Sequence, residues 1–441
     1  MRKKILKAAT RMQKLDRYFR VSSKLTDTFP RIGALALDNT VPFLLGNSMV
    51  VRAKLEKNIR LLRKIGKFDS ILIIADLNIG DGINLQACAD AIRNFFPSAV
   101  VDYVCNRQSA NFIYGNRKIS TVFPVFSGKK PPPQKEIDLI AKIITYGQYD
   151  LIISFPPLLD VQFFHAFDEK VIDFTLLAAL IIRGEKQPLG INQISYQTYM
   201  FIHLMFSQLY RPVESNGFSG VSIALSDKAV EVADRFLEEK DVSLQQPLVF
   251  YNPDASSCFT RIPTNKQVLL IQSLLRFPEI GKLFLGAGHS KTGIENDILN
   301  SLSISERERV VVVPTAVPID VYAGIIDHCQ LFVSGDTGPL HIAAARKIRV
   351  SNQMPLRNKT AVVSIFGATP ARIYGYDSLK PGFFPSNQDA PAHIYIAESP
   401  CRNITCINKS QKTCKTVHCF KQLNMQRISK DIKSILKVMI K

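Results

Sequence analysis

Three segments of this chain hold side chains suited to chemistry, and the most informative runs from Ser334 to Ala345. A β-rich stretch, Gln330 to Val333, stops at Ser334-Gly335-Asp336-Thr337-Gly338, and Pro339-Leu340-His341-Ile342-Ala343-Ala344-Ala345 follows. Pro339 suits a first helical turn, where its missing N–H would have been unpaired anyway. A strand-turn-helix of this kind directs free backbone N–H groups and the positive end of a helix at one point, which makes a seat for a diphosphate. Asp336 and His341 add side chains at the same rim. The arrangement suits a nucleotide-activated substrate.

The second segment is Leu77-Asn78-Ile79-Gly80-Asp81-Gly82, at the end of a strand. Gly80 and Gly82 flank the acid and allow a ligand to come close. Asp81 is placed to take a proton from an acceptor hydroxyl as general base; the competing reading is that it only caps the following helix. The third segment, Asn252-Pro253-Asp254-Ala255-Ser256, again follows a strand and brings Ser256 and Ser257 within reach of a phosphate. Glu295, near Gly286-Ala287-Gly288, is a further candidate for sugar or nucleotide contact. His165 and His203 sit in apolar surroundings and read as core or acceptor-side residues. No G-x-G-x-x-G or P-loop accompanies these segments, so dinucleotide and ATPase readings lose their usual support.

The elements that must position these residues alternate between strand and helix patterns. Strands are predicted at 70–75, 100–104, 121–125 and 151–154, with helices at 83–96 and 136–146 between them. After a polar break the rhythm resumes, with a helix at 228–239 and strands at 248–251, 282–285, 310–313, 331–333 and 361–365. Helices at 265–275, 294–302, 319–327 and 339–346 separate those strands. This is βαβ order, so both sheets should be parallel. Two such halves bind ligands between them, at the carboxyl ends of their strands. A last helix, 428–439, is expected to cross back onto the first half.

At 441 residues the chain is long enough for two or three domains. Its longest apolar stretch, Leu176 to Ile182, is too short to span a bilayer, and the basic start lacks an apolar run and a cleavage site. These features predict a soluble, intracellular protein. The formal net charge of +19 calls for an acidic counterpart. Residues 1–24 hold nine Lys and Arg against Asp16 alone, with Ile5, Ala8, Met12, Leu15 and Phe19 on one helical face. A second basic segment, 52–67, repeats the pattern with Val51, Leu55, Ile59, Leu62 and Ile65. The apolar stripes are expected to dock on the protein, leaving the Lys and Arg to water or to an anionic membrane. Nucleic acid is not an expected partner, since no recognition signature accompanies the charge. Cys88, Cys105, Cys258 and Cys329 read as core residues. Cys401, Cys406, Cys414 and Cys419 cluster at wider spacing than paired C-x2-C, which favours reduced thiols over a metal site.

Taken together, Gly80-Asp81, the 252–256 run and above all Asp336-Thr337-Gly338-x-x-His341 resemble glycosyltransferase family nine, the ADP-heptose:lipopolysaccharide heptosyltransferases. The resemblance covers about residues 68–441. It implies an α/β fold of GT-B type, two Rossmann-like domains facing a central cleft, here with a basic helical extension. The expected organisation is an extension over 1–67, an acceptor domain over 68–240 and an ADP-sugar domain over 241–441 with a Cys-containing loop and a closing helix. It further implies inverting heptose transfer to the inner core of lipopolysaccharide or lipooligosaccharide without metal or cofactor. The protein would then be cytoplasmic and peripheral at the inner face of the inner membrane. Asp81 takes the position of the family's base, with Gly80 and Gly82 beside it. Asp336, Thr337, Gly338, Pro339 and His341 take the donor loop. The family's Lys falls at Thr260, leaving Arg261 to supply charge alongside Ser256, and a common Thr-Thr-Pro is replaced by Asn84-Leu85-Gln86. These departures keep open a non-catalytic GT-B shell and a different nucleotide sugar.

Overall fold

The computed structural model describes residues 49–75, 78–128, 132–155, 170–173, 191–213, 218, 220–255, 260–287, 293–347, 361–367, 369, 371–376, 394–399 and 418–440. The first basic helix predicted, Ser256, Ser257, His165, Cys258, Cys401, Cys406 and Cys414 lie outside the described residues.

The first half opens with helix α1 (Met49–Ile65) and strand β1 (Ser70–Ala75), followed by α2 (Ile79–Asn84) and α3 (Ala87–Phe95). Strands β2 (Val100–Asn106) and β3 (Thr121–Phe126), helix α4 (Gln134–Gly147), and strands β4 (Leu151–Ser154) and β5 (Val171–Asp173) complete its sheet, and α5 (Gln193–Ser207) lies against α3. The second half holds α6 (Asp227–Glu239), β6 (Leu248–Asn252), α7 (Thr264–Leu275), β7 (Lys282–Gly286) and β8 (Val310–Val313). It continues with α8 (Ile319–Asp327), β9 (Leu331–Gly335), α9 (Gly338–Lys347), β10 (Ala361–Phe366), α10 (Ala371–Tyr374), β11 (Ile394–Glu398) and α11 (Met425–Ile440).

Every strand pairing in both sheets is parallel. The first sheet runs β3-β2-β1-β4-β5 and the second β11-β10-β9-β6-β7-β8. Each starts in its middle and grows first one way, then the other. Strands covered by helices on both faces read as continuous apolar runs, which is why Leu248–Asn252 and Ala361–Phe366 are buried throughout. Phe250 packs among Phe284, Tyr322 and Phe332 in the second core.

Two expectations change. The predicted helix 83–96 is two helices with a turn at Leu85 and Gln86, so Asp81 lies in the first turn of α2 rather than in a loop. Asn78 is the N-cap residue of α2, and Asp81 is not a cap. The final helix stays on the second half: Ile428, Ile432, Ile435 and Leu436, at helical spacing, bury against α7 and β10. Ile223 and the Ala229, Ala233 and Leu237 face of α6 pack in one cluster with Phe250 and Phe284 of the second sheet and with Ile83 and Phe112 of the first half. A Cβ at Gly324 of α8 would stand 2.7 Å from the Ala233 methyl, a contact that seats α6 on α8.

Helix α1 docks as expected. Asn58, Leu61 and Leu62 are buried, Ile59 and Ile65 partly so, and the Tyr210 hydroxyl donates to the Gly66 carbonyl at 2.9 Å. Lys57, Arg60, Arg63, Lys64 and Lys67 remain exposed on the other face. Among the described residues no helix is long and apolar enough to cross a membrane.

Candidate active site

Strand order sets where a ligand can sit. At β1 the first sheet reverses direction of growth, and at β6 the second does the same. Loops leaving the carboxyl ends of neighbouring strands diverge at such a point and open a crevice. Asp81 follows β1, while Asn252–Ala255 follows β6 and Asp336–Thr337 follows its neighbour β9. Helix α2 of the first half packs directly against α9 of the second, so the two crevices face each other.

The loops that follow β6 and β9 are braced from behind. Asn252 Nδ2 donates to the Asp254 carbonyl at 2.9 Å and lies 3.3 and 3.4 Å from the hydroxyls of Ser334 and Thr337. The Tyr322 hydroxyl, in space that any side chain at Gly286 would take, donates to Asn252 Oδ1 at 2.9 Å. Buried Gln267 donates to the carbonyls of Pro253 at 3.0 Å and Ile262 at 2.6 Å. Gly335 is required by close approach: its Cβ would fall 2.7 Å from the Thr260 carbonyl oxygen. The result is a fixed backbone around the N-terminus of α9, where the positive helix end favours an anion.

Two carboxyls approach across the cleft. Burial is the main cause that raises the Asp336 carboxyl from 3.8 to about 6; the Thr369 hydroxyl opposes the rise and the Asp81 charge adds to it. The Tyr374 hydroxyl is pushed up to about 12 by burial, with Asp81 and Asp336 both contributing. Tyr374 therefore sits within the field of both acids. His341 is buried at 7% exposure, and that burial lowers its imidazole to about 4. It is neutral at physiological pH.

These shifts have opposite consequences for stability. The stability linked to Asp336 is full below about pH 4 and is lost as pH rises through about 6, because the folded state resists ionisation. That linked to His341 is full above about pH 6.5 and is lost as pH falls through about 4. Between pH 4 and 6 the two offset each other. The variant D336N should thus be more stable than the native chain at pH 8, by on the order of 1–3 kcal/mol, and no more stable at pH 4. Denaturant unfolding at the two pH values checks this, and an equal difference at both would refute the ionisation argument.

The Nδ1 of His341 lies 2.9 Å from the Tyr376 hydroxyl and 3.3 Å from Nδ2 of Asn84, which belongs to the other half. The Ser195 hydroxyl donates to Asn84 Oδ1 at 2.9 Å. Asn192 caps α5 through Ile194 N–H and donates to the carbonyls of Tyr374 and Gly375 at 3.0 and 3.1 Å, which ties the first half to the turn carrying both tyrosines. On its other edge the His341 ring meets Gly80. Any Cβ there would overlap Cδ2 and stand 3.2 Å from Cγ and Nε2.

The structure thus brings Gly80, Asp81, Gly82, Asp336, Thr337, Gly338, Pro339 and His341 to one cleft. Gly338 faces Ile79, with 3.5 Å from its would-be Cβ to Ile79 Cβ. Thr260 contributes its carbonyl to the contact with Gly335. Arg261 pairs with Asp254 at 2.7 Å and donates to the Ala255 carbonyl at 2.8 Å, so its charge holds the loop after β6. Glu295 stands in the first turn of the helix Ile294–Asn300, with a buried Oε2 that has no hydrogen-bond partner among the described residues. His203 stacks near Tyr199 and Phe95, away from the cleft. Cys88, Cys105, Cys329 and Cys419 are buried. Sequence reasoning missed Thr369, Tyr374, Tyr376 and Ser195, and noted Asn84 only as a departure from a family pattern.

Comparison with known proteins adds four findings. Residues 220–410 match the family model for glycosyltransferase family 9 (heptosyltransferase). The lipooligosaccharide heptosyltransferase 2 of Campylobacter jejuni strain 81116 is 27% identical over 154 residues, 35% of this chain and 40% of that protein. The chain therefore spans less than half of the curated relative it matches. In fold it is similar to a glycosyl transferase family 9 structure from Veillonella parvula, with TM-score 0.61 and 14% identity over 84% of this chain and 97% of the other. It is also similar to the E. coli ADP-heptose lps heptosyltransferase II structure, with TM-score 0.57 and 13% identity over 83% and 98%. The architecture is GT-B.

Proposed function

We propose, from the match of residues 220–410 to the glycosyltransferase family 9 model, that the chain is an inverting, metal-independent transferase of that family. It moves heptose from ADP-heptose onto the inner core of a lipopolysaccharide or lipooligosaccharide. The observation that carries this reading is the approach of the Asp81 helix to the Asp336–His341 loop across the cleft, an acid from one half beside a phosphate seat from the other.

In this reading Asp81 takes the proton of the acceptor hydroxyl as its oxygen attacks the anomeric carbon from the face opposite the diphosphate. The bond to ADP breaks on the other side, so one displacement inverts the centre. The departing diphosphate meets the N-terminus of α9 and main-chain N–H groups, fixed donors that need no rearrangement as charge develops. Asp336, Thr337, Gly338, Pro339 and His341 line the donor, with Ser256, Thr260 and Arg261 on the adjoining loop. Gly80 and Gly82, beside Asp81 on the acceptor side, give their space to the His341 ring and the Ser109 side chain. The first half takes the acceptor, and the second takes the donor. The basic outer face of α1, together with residues 1–48, meets an anionic membrane surface at which a lipid-linked, phosphorylated acceptor would lie.

A nucleotide screen tests the donor assignment. ADP at about 100-fold its Kd adds roughly 2.7 kcal/mol to stability by mass action, read as a raised Tm. Stronger stabilisation by UDP than by ADP overturns it. Acceptor-dependent release of ADP from ADP-heptose separates a transferase from a silent GT-B shell.

A further inference from the structure

We propose that Asn84, Ser195 and Tyr376 are positioning residues that hold His341 as the neutral tautomer protonated on Nε2, with that N–H on the cleft side. The argument follows the hydrogen bonds inward from Ser195. Its hydroxyl occupies Asn84 Oδ1 at 2.9 Å, which leaves the Asn84 NH2 facing His341 Nδ1 at 3.3 Å. An amide NH2 only donates, so Nδ1 must present its lone pair. The Tyr376 hydroxyl, 2.9 Å from the same nitrogen, then donates as well. With Nδ1 accepting from two groups, the ring's proton is on Nε2.

That edge of the ring lies over Gly80, where Nε2 is 3.2 Å from the place a Cβ would take. It is the edge turned toward the Gly80-Asp81 turn. The tautomer is thereby fixed by residues of both halves: Asn84 and Ser195 from the first, Tyr376 from the second, with Asn192 anchoring the Tyr376 turn through the Tyr374 and Gly375 carbonyls. Only when the halves are together does His341 offer a single N–H donor to a ligand. This role deepens the donor-loop reading above and rests on it for its function. Ionisable groups on elements packed against α9 are Asp81 on α2, Tyr374 and Tyr376 at α10, and Asp320, Tyr322 and Asp327 on α8, of which Asp327 is engaged by Arg346 at 2.9 Å. None of them contributes to the depression of His341, which burial alone produces.

The test is nitrogen NMR of the full chain labelled in its seven histidines, with the His341 ring assigned by its loss in H341Q. The native protein should show one neutral tautomer with Nε2 protonated and no titration between pH 6 and 8. In N84D a carboxylate faces Nδ1, so the proton should move to Nδ1 and the ring should titrate at higher pH. In S195A the amide is free to turn, and the two tautomers should mix. With ADP-heptose, N84D should raise KM by about tenfold while kcat changes less, the mark of lost ground-state positioning. A native ring protonated on Nδ1 overturns the proposal, as does an unchanged His341 spectrum in folded S195A. The expected tautomer in a protein that binds no ADP supports the positioning network and removes only the donor reading.

Discussion

Replacing Asp81 with Ala should lower kcat for sugar transfer by about 10²–10⁴-fold, the usual contribution of a positioned general base, while the Kd for ADP changes little. The separation follows from the geometry. Asp81 stands on α2 of the first half, whereas the proposed phosphate seat is built from β6, β9 and α9 of the second and is braced by Asn252, Gln267 and Tyr322. None of those braces reaches Asp81. A second effect marks the residue's place in the cleft independently of turnover. The Asp81 charge helps to raise both Asp336 and Tyr374, so D81A should lower the apparent pKa of each. Full turnover in D81A would remove the base assignment. A fall in turnover with Asp336 unmoved would place Asp81 away from the donor acid.

Much of this was legible in the sequence because each half of the site is local. Strand, turn and helix lie within twelve residues at Ser334–Ala345, and buried parallel strands announce themselves as apolar runs; β1, β4 and β8 begin and end where the pattern predicts. Strands β5 and β11 were missed: β5 is three residues long, and both are edge strands. Helix α5 was missed for a different reason. Its sequence QISYQTYMFIHLMFS is apolar on nearly every side, because Ile202, Met205 and Phe206 meet α3 and the first core while Tyr199 stacks on Phe218. No single stripe gives it a period of 3.6. The cross-cleft contacts carry no local signal at all. Asn84 meets His341 across the cleft and 257 positions of sequence, and within its own half it meets Ser195 across 111; only the folded chain brings them together. A residue that reads as a departure from a family pattern turns out to be one of the contacts joining the halves.

The variant G80A should be the most damaging small change in the cleft, with transfer reduced by about 10²-fold or more and stability by about 1–3 kcal/mol. An added methyl would overlap Cδ2 of His341 and lie 3.2 Å from two further ring atoms. Whether one methyl is tolerated depends on whether its neighbour can give. Here it cannot: the ring is buried, and Nδ1 is held at 2.9 Å by Tyr376 and 3.3 Å by Asn84. On the facing helix, a Cβ built at Gly338 would stand 3.5 Å from Ile79 Cβ and 3.8 Å from the Gly80 amide nitrogen, so α2 and α9 meet here through glycine. The strain must therefore be relieved by separating α2 from α9, which draws Asp81 away from the phosphate seat. A double-mutant cycle distinguishes this from a general loss of stability. In an H341A background the obstructing ring is gone, so adding G80A should cost markedly less stability than it does in the native chain, giving a coupling of about 1–3 kcal/mol. Additive effects of the two substitutions would show that Gly80 is not needed for the approach of His341, and with it would go the argument that this glycine lets the two halves meet.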